Sequence, residues 1–211
     1  MTEHRTLNTV IHAAFRRDLS RFDDALADFP AGSPGRAGEL TAAWEHFSYQ
    51  LHRHHDDEEQ FFWPAFRTLG VDATLVGELE GEHDQMVQAL TSADDAMVAF
   101  RSDPSAEMAQ AARRSVVELH RVLDDHLAHE ERTMEPFSVA NKSTKEHKAA
   151  ESAARKAHTE GAGTFFSWLS DHADADTARA IRREVPAPAL YLMTRLGGRR
   201  YSRHIARAWA E

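Results

Sequence analysis

Two stretches of this chain match residue for residue: His54-x-x-x-Glu58-Glu59-x4-Pro64 and His126-x-x-x-Glu130-Glu131-x4-Pro136. A histidine and a glutamate four residues apart share one face of a helix, stacked one turn above the other. Together they present nitrogen and oxygen lone pairs to a common cation. The sequence has 14 histidines and no cysteine. Thiolate zinc sites, iron–sulfur clusters, disulfides and Cys-linked haem are therefore excluded, and a bound metal must be held by N and O donors. Each motif follows a further histidine: His12 stands 42 residues before His54, and His83 stands 43 before His126. The chain thus reads as two copies of one helical hairpin. Two equivalent half-sites suit two metal ions, with Glu58 and Glu130 available to bridge them. Donors of this kind at this density suit iron first, then manganese or zinc.

Four long helices must position these residues, over about 4–28, 38–68, 73–101 and 104–138. Phe29-Pro30-Ala31-Gly32-Ser33-Pro34-Gly35 separates the first pair. Asp72 is placed to cap the third helix, and Asp103 with Pro104 to open the fourth. Apolar residues recur at alternating steps of three and four: Phe15, Leu19, Phe22, Leu26 in the first helix and Leu79, Met86, Leu90, Ala93, Met97 in the third. That pattern predicts an all-α fold, an antiparallel up-down-up-down four-helix bundle. His12, His54, Glu58, His83, His126 and Glu130 interrupt these seams where an apolar residue is due. With a rise of about 1.5 Å per residue, antiparallel helices bring all six into one layer near one end. An unpartnered buried polar group costs roughly 2–7 kcal/mol, and a bare carboxylate more. A bundle worth ~5–15 kcal/mol tolerates six only if they share cations. These six are the expected metal ligands.

No catalytic residue stands out. Tyr49, His55, Glu59 and His129 are candidates for supporting the ligands by hydrogen bonds, as metal-bound imidazoles require. His52, His55 and His129 fall about one step off the seam, which predicts solvent-facing or supporting positions. Glu59 and Glu131 are expected near the rim. Pro64 and Pro136 are expected to kink or end their helices. Glu80-x-x-His83 is a ferritin-type pair, but its partner is missing, since Leu51 and Leu123 occupy that spacing before His54 and His126. His4, His46, His120, His147, His158, His172 and His204 default to the surface.

The order His12, His54-x-x-x-Glu58, His83, His126-x-x-x-Glu130 resembles the hemerythrin-like (HHE cation-binding) domain family over about residues 4–138. The resemblance implies a four-helix bundle holding two iron ions, oxo- or hydroxo-bridged, that meet O2, peroxide or nitric oxide. The oxygen carriers of that family have a second histidine one turn after the third helix's first; here Val87 stands at that spacing. They also end in His-x4-Asp, where this chain has His126-x-x-x-Glu130. One fewer imidazole leaves the irons less saturated, which favours catalase-like peroxide disproportionation, or redox sensing, over reversible O2 carriage. Reversible O2 or nitric oxide binding is the alternative, and a structural zinc- or metal-free bundle the third reading.

The remaining residues, 140–211, form a helical extension to the 1–139 bundle. Asn141 to His158 reads as a helix or exposed linker, Thr164 to Leu169 needs burial, and Asp174 to Val185 reads as a short helix. A basic helix with Arg199, Arg200, Arg203 and Arg207 closes the chain. This region packs on the bundle as a cap or supplies a homodimer surface; the competing reading is contact with an acidic partner, lipid or nucleic acid. The net charge of −9 argues against nucleic-acid binding by the whole chain. No apolar run spans a membrane, and Met1 to Phe15, with Glu3, His4 and Asn8, lacks an export signal's core, so a cytoplasmic location is expected.

Overall fold

A computed structural model describes residues 5–158 and 160–210; the expectations on Glu3 and His4 lie outside the described residues. Helix α1 (Leu7–Ala27) opens on a Thr6 capping box closed by Thr9. Helix α2 (Pro34–Asp57) runs through a π turn (Glu58–Phe62) into α3 (Trp63–Thr68). Helix α4 (Ala73–Ser102) is capped by Asp72, whose side chain accepts from the Thr74 amide at 2.8 Å. Helix α5 (Ala106–Asn141) is capped by Ser105. Asp103 instead ends α4, and Pro104 lies in the connection, which corrects the expected start of the fourth helix. Pro136 does not end α5, which continues to Asn141. At Pro64 the relief comes upstream: the Trp63 amide reaches back five residues to the Glu58 carbonyl, and this wider turn makes room for a ring that would crowd the carbonyl four residues behind it.

The helices α1, α2, α4 and α5 pack in a ring, each against two of the others. Cross-links run in opposite directions on neighbouring helices. Asn8, Arg16 and Asp23 of α1 meet Glu130, Asp124 and Arg113 of α5. On α2 and α4, Glu45, Ser48 and Glu59 meet Arg101, Asp94 and His83. The interior holds a large apolar cluster around Phe15, Phe22, Phe47, Leu90 and Leu119, and a smaller one of Trp63, Phe66, Val76, Leu79 and Met134. The histidines and glutamates of the motifs occupy the layer between the two.

The C-terminal helices are α6 (Lys145–Ala157), α7 (Ala162–Ser170), α8 (Ala175–Glu184) and α9 (Ala187–Leu196). The chain then closes in a π turn (Tyr201–Ile205) and a 3-10 turn (Ala206–Trp209) rather than a regular basic helix. These elements pack mainly on α1, α2 and α3. Trp168, Ile181, Tyr201 and Ala208 join the same apolar cluster as Phe15 and Phe22. A buried clamp fixes them: Asp18 of α1 accepts from the Trp168 indole at 2.6 Å, and Arg17 donates to the Trp168 and Asp171 carbonyls. Between α7 and α9, a Cβ on Gly163 would lie 2.5 Å from the Gly197 Cα, so this crossing admits only glycine. No helix among the described residues is long and apolar enough to cross a membrane.

Candidate metal centre

Among the described residues the candidate donors form two groups of four, His12, His54, Glu58, Glu130 and His55, Glu58, His83, His126, with the donor atoms of each within 4.8 Å of one another. All seven residues are buried. The six residues that interrupt the seams are all present. The seventh, His55, does not face solvent: it is 5% exposed, and among the described residues neither ring nitrogen has a hydrogen-bond partner. As a further candidate donor it restores the imidazole that Val87 lacks, so the expected shortfall of one imidazole is corrected. The helix explains this. At about 100° per residue, His54, Glu58 and His55 fall near 0°, 40° and 100° around α2. The glutamate therefore projects between two adjacent histidines that diverge to either side of it. The signal was legible as a difference between the copies, because Leu127 stands where the first copy has His55.

Glu58 belongs to both groups and Glu130 to the first alone. One Glu58 oxygen (Oε1) lies 3.2 Å from His54 Nε2, and the other (Oε2) 3.5 Å from His83 Nε2. His12 Nε2 approaches His54 Nε2 at 3.2 Å, and His83 Nε2 approaches His126 Nε2 at 3.2 Å. Two donors each about 2.1 Å from one ion stand about 3.0–3.4 Å apart. Both Glu58 oxygens and Glu130 Oε2 lack hydrogen-bond donors. Buried lone pairs of this kind, all N and O, fit a pair of cations.

Electrostatics gives the same answer. Burial opposes charge on His12, yet Glu130 and Glu131 push it up to about 9. Burial, then the charge of Glu130, drives Glu58 well above the carboxylate range. Burial, then the positive charge of neighbouring histidines, drives His54 and His55 well below 6.5. Protons alone thus satisfy this layer only by charging one imidazole and neutralising the central carboxyl. A multivalent cation removes that conflict.

Carboxylates outside the groups aim the imidazoles. Glu131 Oε1 lies 2.9 Å from His12 Nδ1 and accepts from Arg16 at 2.6 Å. Burial opposes the charge of Glu131, but these two partners hold its carboxyl below the usual range. Glu59 lies 2.9 Å from His83 Nδ1. Glu82, which the sequence reading missed, lies 3.0 Å from His126 Nδ1 and 2.7 Å from His129 Nδ1. Its only sequence signal is its place beside His83. Tyr49 is corrected: its side chain is 57% exposed and stands outside both groups. Glu80 is engaged by Arg67 at the surface. Two histidines expected at the surface are also corrected. His147 is buried against Phe62 and Phe66 with Nε2 2.9 Å from Ser138 Oγ, and His46 is enclosed by Trp168 and Tyr201. His158 binds Asp57 at 2.6 Å.

The model of the Hemerythrin HHE cation binding domain matches residues 3–138. The chain belongs to the hemerythrin HHE cation-binding family. The matched span covers α1 to α5 up to Ser138, and both donor groups lie inside it. No curated protein and no solved structure matches the chain. What the HHE match describes is therefore the bundle and its cation-binding residues, and α6 onward lies beyond it. A cavity of about 570 Å³ reaches from those C-terminal elements to His54, Glu58 and Glu130 of the first group.

Proposed function

We propose that this HHE protein holds two iron ions, one on each donor group, and turns over peroxide. His12, His54 and Glu130 would hold the first, His55, His83 and His126 the second, and Glu58 would span both. The observation that carries this reading is Glu58 itself, whose two orphan oxygens each face a different set of imidazoles. When bound, such a metal pair supplies Lewis acidity and a two-electron store, so that one peroxide is reduced to two waters and a second is oxidised to O2. The chain's own part is to fix the donors. Glu131, Glu59 and Glu82 sit at Nδ1 of His12, His83 and His126, which leaves each Nε2 free to face inward. Trp63 stacks on His83 at 4.6 Å, and Phe15 leans on His54, so aromatic rings hold one imidazole of each group in place.

Iron-loaded protein is expected to evolve O2 from peroxide, and His54→Ala to abolish it. Activity no greater than that of the same free iron would remove this reading. A second reading, reversible binding of O2 or nitric oxide as a sensor, draws support from the shared cavity, which couples the first donor group to α6 and α7. It predicts an absorption band that appears with O2 and vanishes on degassing.

A further inference from the structure

The cavity over the first donor group is far larger than peroxide or a diatomic gas requires. At about 570 Å³ it matches the size of pockets that take organic molecules. The family-matched bundle supplies part of the lining through His54, Glu58, Glu130, Phe62 and Phe66, and the C-terminal elements supply another part, including Phe165 and Phe166 of α7. A single wet opening to a metal pair would not need this aromatic lining.

Among the described residues, two polar groups in the lining make no hydrogen bond to the protein. Gln50 is 5% exposed, and its Oε1 has no hydrogen-bond partner. Arg53, one residue before His54, is half-buried, and its guanidinium rests over the Phe165 ring at 4.8 Å. Asp57, one turn on, attracts Arg53 without forming a salt bridge and is itself bound to His158 at 2.6 Å. Lys142, by contrast, is neutralised by Glu184. The cavity therefore combines an apolar body-sized space with a half-buried cation, Arg53, that makes no salt bridge among the described residues; the exposed Arg155 and the carboxylates Asp57, Glu135 and Glu151 complete its charged lining beside the first donor group.

We propose that this cavity binds an organic carboxylic acid with an apolar body, its carboxylate on Arg53 and its body against Phe62, Phe165 and Phe166. Only the consequence of binding, an organic acid held beside the metal pair, rests on the peroxide reading; the binding itself does not.

The test is fluorescence titration of the metal-loaded full chain with 11-(dansylamino)undecanoate, with its methyl ester as the neutral control. Saturable one-to-one binding at about 10 μM or tighter is expected for the acid. The ester should bind at least tenfold more weakly, and Arg53→Met should weaken the acid to the level of the ester. Ala154→Trp, which fills the cavity from α6, should abolish binding of both while leaving iron content and helical circular dichroism unchanged. Absence of saturable binding to the wild-type chain would overturn the proposal. So would equal affinity for acid and ester, or binding indifferent to both substitutions. Iron content and O2 evolution, measured on the same samples, report separately on the peroxide reading: an iron-free or inactive protein that still binds the acid through Arg53 keeps the cavity and loses the catalyst.

Discussion

The two hairpins carry the same motif, and the structure gives them different work. In the first, Glu58 serves both donor groups, with His54 in one and His55 in the other; in the second, His126 and Glu130 serve one each. The copies also differ at one donor position, since Leu127 stands where the first has His55. The support is crossed and more even. Glu131 of the second hairpin orients His12 of the first, and Glu59 of the first orients His83 of the second. The outer faces differ as well. His46 of α2 is covered by Trp168 and Tyr201, while Glu118, at the equivalent place on α5, is paired at the surface with Arg121. A repeated sequence therefore fixes where candidate donors go, while contacts between helices separate the roles of the two halves.

The largest effect that would test this asymmetry is loss of the centre. Glu58→Ala is expected to strip both ions, whereas Glu130→Ala strips the first, as read by elemental analysis after anaerobic loading with ferrous iron. Equal losses from the two variants would show the bridge to be shared evenly. Next, His55→Leu makes the first copy resemble the second. It should lower bound metal by half and leave the His12 group filled. Full occupancy in that variant would return His55 to the background.

Smaller effects come from the supporting carboxylates. Glu131→Gln and Glu59→Gln should each weaken metal binding by about 10–100-fold in chelator competition. The Glu131 change should be the larger, because Arg16 anchors that carboxylate while Glu59 is half-exposed. Reversal of that order would mean that anchoring contributes little.

The covered face offers the mildest test. Burial, then the charges of Arg200 and Arg17, pushes His46 down to about 4. The unfolded chain takes up a proton near pH 6.5 and the folded chain does not, so the folded state loses ground as pH falls from there toward 4. At pH 5 the cost is about 2 kcal/mol. His46→Phe should flatten the fall in Tm between pH 7 and 5 relative to wild type. An unchanged slope would mean that water reaches this ring.

The bundle helices were legible because their seams repeat at steps set by the helix itself, and the six interrupting donors were legible because they broke those seams in register. His55 escaped because it leaves the seam by one residue; only the position of Glu58, between two diverging histidines and shared by both donor groups, gives it a purpose. Glu82 and Glu131 became partners of particular imidazoles through helix pairing, which no local spacing encodes. The α2 π turn relates to Pro64, yet the matching Pro136 lies in an unbroken α5, so local chemistry alone does not choose between them.

The sequence by itself determined that nitrogen and oxygen donors, twice over, would face one another inside a helical core, because helical periodicity leaves those side chains nowhere else to point. Tertiary structure decided that Glu58, alone among the described residues, belongs to both groups, and that the last 70 or so residues pack on the bundle and wall a cavity beside it. Those outcomes depend on which helices touch, and contact between distant segments is settled by packing of whole surfaces rather than by the spacing along any one of them.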